Sequence, residues 1–418
     1  MPCMRENACQ LAMVGNKGVF MVKRLCIIFV LALLASGCAT VRHAVPPDLI
    51  YDVSIFGMKD IRTFGGGPSD AFKHDFVTLL EQEEKNRGAL PVDSEPQTFH
   101  LLAISGGGAN GAYGAGILNG WSQAGTRPEF RVVTGISTGA VIAPYAFLGS
   151  SRDAVMKEFY TRYSTRDLIR LRIPFSNSFA STKPLARLID QYFNEGLLKD
   201  IAAEYRKGRR LYIGTTNLDA QRLTIWDMGR IASIGDENAL KLFRKIILAS
   251  ASIPIAFPPV YIEAEADSEV YDEMHVDGGI SKQVFFLYDV VQGMEKALKE
   301  KRIDPGRNKY VVYVIRNGYV DSLYKEVPDR ILAIAERAVD TLTTSQSIGD
   351  IYRLYMFTRE GRGDFNLAYI PSTHVSKARE PFDRAEMQAL FDLGFEQALK
   401  GYEWKKAPPG VGESTESR

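Results

Sequence analysis

The stretch Phe99-His100-Leu101-Leu102-Ala103-Ile104-Ser105-Gly106-Gly107-Gly108-Ala109-Asn110-Gly111 decides how this chain is to be read. Its first seven residues are a short apolar run bounded by glycine, the pattern of a buried strand. The segment from Gly111 to Ala124 reads as a helix, with Gly111, Gly114 and Gly116 expected to let it lie close to a sheet. Consecutive glycines before a helix let backbone N–H groups converge where the helix dipole is positive, so an anion can sit there. Gly106, Gly108 and Gly111 satisfy the dinucleotide spacing G-x-G-x-x-G. That reading also needs an acidic residue closing the second strand to hold a ribose, and Glu129 precedes the strand instead. The alternative anion is the tetrahedral oxygen of acyl transfer. A glycine turn serving only close packing is the blander option.

The second strand, Phe130 to Thr134, runs into Gly135-Ile136-Ser137-Thr138-Gly139 and then an apolar helix to Leu148. A lone G-x-S-x-G is weak, but strand–turn–helix is the setting of a nucleophile elbow. Gly135 and Gly139 remove side chains that would collide where the chain reverses. Ser137 is therefore the candidate nucleophile, with a simple helix-capping serine as the alternative. A serine hydroxyl needs a proton acceptor. Asp277, in Val276-Asp277-Gly278-Gly279, is a carboxylate after a strand, followed by Gly278 and Gly279, which permit close approach. Two histidines keep a triad open. His275 could share a strand face with Asp277, and Ser137, Asp277, His374 follow the chain order of an α/β-hydrolase triad.

With these motifs in place the chain resembles the patatin-like phospholipases, closely over about 99–289 and loosely beyond. The family's oxyanion motif maps to Gly106, Gly107, Gly108, Ala109, Asn110 and Gly111, and its nucleophile motif to Gly135-Ile136-Ser137-Thr138-Gly139. Its dyad motif maps to Asp277-Gly278-Gly279, and Ala249 to Pro259 is a further family-like stretch. The resemblance implies a three-layer α/β/α fold with a mostly parallel central sheet, and a Ser137–Asp277 dyad without histidine. It implies a lipid acyl hydrolase, working on phospholipid or another acyl-ester lipid through an acyl-enzyme, with no cofactor and no metal. Two departures stand out: the family usually has Arg or Lys where Asn110 stands, and often Asp where Ser105 stands. Without that cation the oxyanion would rely on backbone donors. An acyltransferase, or a non-catalytic lipid-binding or envelope-organising lipoprotein that keeps the fold, are the alternatives.

The rest of the chain sets the context. At 418 residues, 45% hydrophobic and 24% charged, it has the composition of a globular protein. A formal charge of +1, from 51 Lys+Arg against 50 Asp+Glu, does not suggest nucleic acid. Lys23-Arg24 precedes the apolar run Leu25 to Ala35, which is too short to span a bilayer and fits a signal peptide. Ala35-Ser36-Gly37-Cys38 resembles a bacterial lipobox, making Cys38 the expected lipidated residue and Met21 the suspected start. Ala39 after it would sort the product to the outer membrane, facing the periplasm, so the expected partners are a membrane and its lipids. The organisation expected is a signal region over 1–38, then a tether and helical segment over 39–98, with a helix near 72–87. A catalytic domain over 99–404 and a disordered tail over 405–418 complete it. Residues 151–209 read as a helical cap or insertion over the site. The acidic residues Glu263, Glu265, Asp267, Glu269, Asp272 and Glu273 read as a solvated loop.

Overall fold

The computed structural model describes residues 42–65, 72, 75, 77, 98–171, 178, 180–286, 309–360 and 363–411. The expected signal region with Cys38, and most of the helix expected near 72–87, lie outside the described residues. Residues from Ala44 onward form a unit of their own.

Its centre is a sheet whose parallel strands are β3 (Thr98–Ile104), β4 (Phe130–Ile136), β7 (Arg210–Asn217), β11 (Lys309–Arg316) and β12 (Asp364–Tyr369). They lie in the order β7, β4, β3, β11, β12, every neighbour parallel. Five further strands are antiparallel to their neighbours: β1 (Ser54–Ile55), β2 (Arg62–Phe64), β8 (Arg222–Asp227), β9 (Val260–Ala266) and β10 (Glu269–Asp277). The central strands are buried on both faces, as their continuous apolar runs require. In β11, Val312 and Val314 enter one core cluster and Ile315 another; in β4, Val133 joins the cluster of Ile315 while Val132 enters a third.

Helices cover both faces. One layer holds α1 (Gly111–Gln123), α2 (Thr138–Leu148), α3 (Asp153–Arg162) and the single turn α4 (Thr165–Leu168). To it belong α5 (Lys183–Tyr192), α6 (Glu195–Arg206), α7 (Met228–Ile234), α8 (Glu237–Ser250) and α10 (Arg384–Leu399). Between α4 and α5 a two-stranded ribbon pairs β5 (Arg170–Leu171) with β6 (Ala180–Ser181). The long helix α9 (Ile331–Glu360) packs on the opposite face through Ile351 and Leu354. Thr358 at its far end accepts from Gly363 N–H, beside the start of β11, while Asp350 sits level with the strand's C-terminal end. The first turns of α9 therefore run past the C-terminal edge of the sheet, with Ile331, Ile334 and Leu342 exposed.

Four expectations change. The segment expected as a tether up to Met58 is part of the sheet from Ser54 on, because Ile55, Met58, Ile61 and Phe64 bury their side chains. The acidic stretch is not a loop but the hairpin β9–β10, turning at Asp267-Ser268, both at positive φ. Its first strand alternates buried Val260, Ile262 and Ala264 with exposed Tyr261 and Glu263, a period-two pattern that the carboxylates mask. Glu273 is buried; burial pushes its pKa up, but Arg62 and His275 more than offset this and leave it at about 2. The helices α3 to α6 pack against α1, α2 and α8 as part of the helical layer rather than standing apart from it as a cap. Residues 405–411 of the tail expected to be disordered are instead part of the domain. Leu367 and Lys405 exchange backbone hydrogen bonds of 2.8 and 3.0 Å, and Pro408 is buried.

Candidate active site

Strand register places the two candidate residues. β8 occupies one edge of β7 from Tyr212 to Asn217, so β4 and β10 share the other edge. β4 comes up parallel to β7 and ends with Ile136 opposite Gly214. β10 comes from the other direction and ends with Asp277 opposite Thr215. Two strands thus meet end to end at consecutive positions of a third, and Ser137 and Asp277 are where they stop. A carboxyl and a hydroxyl 140 residues apart (277 − 137) are brought together by this meeting of strands.

Ser137 turns the chain from β4 into α2 at φ 55° and ψ −121°, a conformation rare for L residues. The reversal leaves no space for side chains on either side: a Cβ on Gly135 would come within 2.3 Å of the Gly139 carbonyl oxygen, and one on Gly139 within 2.3 Å of that of Ile104. Ser137 N–H donates to Ser250 Oγ at 2.9 Å, and Ser250 donates on to the Gly214 carbonyl at 2.7 Å. The end of α8 also holds the partner strand, since Asp277 N–H donates to the Ser252 carbonyl at 2.9 Å.

Asp277 is fully enclosed, and burial raises its carboxyl to about 6. The Ser137 hydroxyl and the Gly279 N–H, which donates to Oδ1 at 2.7 Å, pull it partway back. Its other oxygen, Oδ2, is buried and has no hydrogen-bond partner among the described residues. Neither histidine is available. His275 is buried with Nδ1 on Thr215 Oγ1 at 2.9 Å and Nε2 on Glu273 at 3.1 Å, so both ring nitrogens are engaged. His374 holds Glu386 through Nε2 at 2.8 Å.

The glycine loop lies against the serine: a Cβ on Gly106 would sit 3.3 Å from Ser137 Cβ. Its six residues divide. Gly106 N–H donates to the Gln283 carbonyl at 3.1 Å, Asn110 N–H to that of Gly107 at 3.1 Å, and Gly111 N–H to that of Gly108. The N–H groups of Gly107, Gly108 and Ala109 make no hydrogen bond among the described residues. Gly107 has φ 156° and Gly108 φ 56°, and a Cβ on Gly108 would meet open space. Open donors beside a nucleophile are what a developing oxyanion needs.

Four supporting residues are given no role by a reading of the sequence, although Ser250 lies within the stretch Ala249 to Pro259. Gln283 ties the glycine loop to the aspartate turn, taking Gly106 N–H on its carbonyl and giving its side-chain N–H to the Gly279 carbonyl at 2.9 Å. Its own N–H is held by Asp350 of α9 at 2.8 Å. Ser250 and the pair Arg316-Asn317 complete the set; Asn317 N–H donates to Ser105 Oγ at 2.8 Å. The signal that finds Arg316 is its place at the C-terminal end of a parallel strand beside β3, where α/β sheets build their sites. Among the described residues no group of three or more His, Cys, Asp or Glu could hold a metal ion.

Residues 102–288 match the family model described as patatin-like phospholipase. This segment is a patatin-like phospholipase domain. The chain is similar to the solved structure of VipD from Legionella pneumophila, at 14% identity and a TM-score of 0.36 over 74% of this chain and 67% of that one. ExoU from Pseudomonas aeruginosa, solved with SpcU, gives 15% identity and a TM-score of 0.33 over 73% and 52%. Human GIVD cytosolic phospholipase A2 gives 11% identity and 0.31 over 81% and 66%. The chain spans about half to two thirds of the length of these proteins. No curated protein matches it in sequence.

Proposed function

We propose that the patatin-like domain is a lipid acyl hydrolase, of phospholipase A or lysophospholipase type, working through a Ser137–Asp277 dyad. The observation that carries this is the end-to-end meeting of β4 and β10 beside a loop with three open N–H donors. In the first step Asp277 accepts the Ser137 hydroxyl proton as Oγ attacks the ester carbonyl carbon. Negative charge forms on the carbonyl oxygen, facing the N–H groups of Gly107, Gly108 and Ala109. Collapse breaks the ester C–O bond, Asp277 returns its proton to the leaving alcohol, and the acyl group remains on Ser137. Water, deprotonated by the same carboxylate, then attacks the acyl carbon, the C–Oγ bond breaks as Asp277 returns the proton to Ser137 Oγ, and the fatty acid leaves.

A carboxylate of ordinary pKa is a poor base for a hydroxyl. Burial, which lifts Asp277 to about 6, brings it toward the operating pH. A lipid substrate suits the surroundings. Ile253, Ile255 and Ile280, flanking the site in sequence, are exposed, as are Ile331, Ile334 and Leu342 on the overhanging turns of α9. Attachment through a lipidated Cys38, at the outer membrane facing the periplasm, belongs to the same proposal and would hold the enzyme where its substrate is.

A fluorophosphonate probe tests the reading. The folded wild type is expected to be labelled on Ser137, and Ser137→Ala to lose both label and release of fatty acid from phospholipid vesicles. Labelling at another residue, or none in a folded preparation, would sink it.

A further inference from the structure

Arg316 is the last residue of β11 and is buried, 6% exposed. It makes no ion pair among the described residues, and its Nε has no hydrogen-bond partner. The carboxylate that acts on it at a distance, Asp350, is itself engaged by Arg353 at 2.8 Å, by Lys282 at 3.7 Å and by the Gln283 N–H. An enclosed cation without an anion is costly and rare in a stable interior. This one is directed at the glycine loop. Nη1 donates to the Gly106 carbonyl at 3.0 Å and lies 3.3 Å from Ser105 Oγ. Ser105 donates to the same carbonyl at 2.7 Å.

A trans peptide carries its C=O and N–H on opposite sides. Fixing the Gly106 carbonyl on the side of Arg316 therefore turns the Gly107 N–H the other way. That N–H is one of the three left open beside Ser137. The chain also lacks a cation at Asn110 and a carboxylate at Ser105, so nothing on the loop itself supplies positive charge or neutralises Arg316. We infer that Arg316 is the positioning residue of the oxyanion loop: it anchors the Gly106–Gly107 peptide and holds an unpaired positive charge behind it, whose counter-charge arrives only when the substrate carbonyl becomes an oxyanion. The inference rests on the serine-hydrolase reading above and names the residue that takes over from the missing cation of that loop.

The test is a series at one position, Arg316→Lys, Arg316→Gln and Arg316→Met, read as fluorophosphonate reaction kinetics at Ser137 and as thermal stability. Lysine keeps the charge, glutamine keeps a donor without charge, and methionine keeps neither. The maximal acylation rate should fall in that order, reaching on the order of 100-fold for methionine, the scale of losing one oxyanion donor. Apparent probe affinity should stay within a few-fold. Tm of the methionine variant should hold or rise, because an unpaired buried charge has been removed. A merely structural arginine would instead lose Tm, rate and affinity together, and that result overturns the inference, as does a flat series or a lysine variant no better than glutamine. If methionine does not fold, the lysine–glutamine difference decides alone. A wild type that fails to label sinks the hydrolase reading and this inference with it, whereas a labelled wild type with a flat series sinks this inference only.

Discussion

Ser137 is held at φ 55° by what surrounds it, and a non-glycine residue in such a conformation costs about 1–3 kcal/mol. Register with β7, the Ser250 hydrogen bond and the two crowded glycines hold it there. Asp277 carries a second local cost, a carboxyl enclosed with one hydrogen-bonded oxygen. The two costs together yield a hydroxyl beside a carboxyl that burial raises to about 6. The sign of the pH dependence follows. Below about 6 the carboxyl holds a proton and cannot accept another, so acylation of free enzyme should fall as pH drops through that value and level off above it. Asp277→Asn should lose at least about 100-fold in turnover at every pH. The folded fractions of His275→Ala and His374→Ala should keep most of theirs, since both rings are engaged away from the serine. Rates of probe reaction across the acid range would check this. A profile without an acid limb, or a large loss at either histidine, would remove Asp277 as the base.

Among the elements, the close pair of helices α1 and α10 shows where local pattern misleads. The glycines of α1 invite the reading that the helix lies flat on the sheet. Gly114 does face β11, where a Cβ would meet Ile315 Cγ2 at 3.1 Å and the Asn317 side chain at 2.4 Å. Gly116 and Gly120 face α10 instead: a Cβ on each would come 2.1 and 2.2 Å from the carbonyl oxygens of Phe391 and Phe395. α10 answers with Gly394, which is pressed onto the Tyr113 carbonyl of α1. Backbone on backbone cannot yield, so Gly116→Ala and Gly120→Ala should each cost about 1–3 kcal/mol or more, through overpacking. Gly349→Ala, in a helix interior where a Cβ meets nothing, should instead gain about 0.5–1 kcal/mol from helix propensity. Urea unfolding of the three variants measures both signs; equal destabilisation would refute the contact assignment. What the sequence made legible here is what is local. The three glycine motifs, and the strand and helix on either side of the first two, are read from spacing and turn residues alone. Ser250, Gln283 and Arg316 reach the site only through strand register and helix packing, which no short-range pattern encodes. The hairpin β9–β10 was hidden because its outward-facing carboxylates hide its alternating buried face.

At the scale of the whole molecule, the question is how a domain that ends its own sheet near residue 54 meets a lipid surface. The apolar run Leu25 to Ala35 is too short for a bilayer span, and among the described residues no helix is long and apolar enough to cross a membrane. The attachment proposed above is covalent, through acyl chains on Cys38, each buried CH₂ contributing roughly 0.8 kcal/mol. Because residues from Ala44 onward belong to the domain rather than to a long tether, the slack between positions 38 and 44 is at most about 20 Å of extended chain. A short leash of this kind predicts a specific pair of outcomes for Cys38→Ser in cells expressing the full chain. The protein should leave the membrane fraction. Its activity on a short soluble ester should stay within about two-fold, since no site residue changes, while hydrolysis of phospholipid in intact membranes should drop by the factor that tethering adds to local concentration, about 10²–10⁴. Fractionation with both assays run on the same preparation separates the terms. Unchanged sedimentation of the variant would refute the lipid anchor, and release without loss of activity on membranes would show that the domain's own apolar edge suffices for docking.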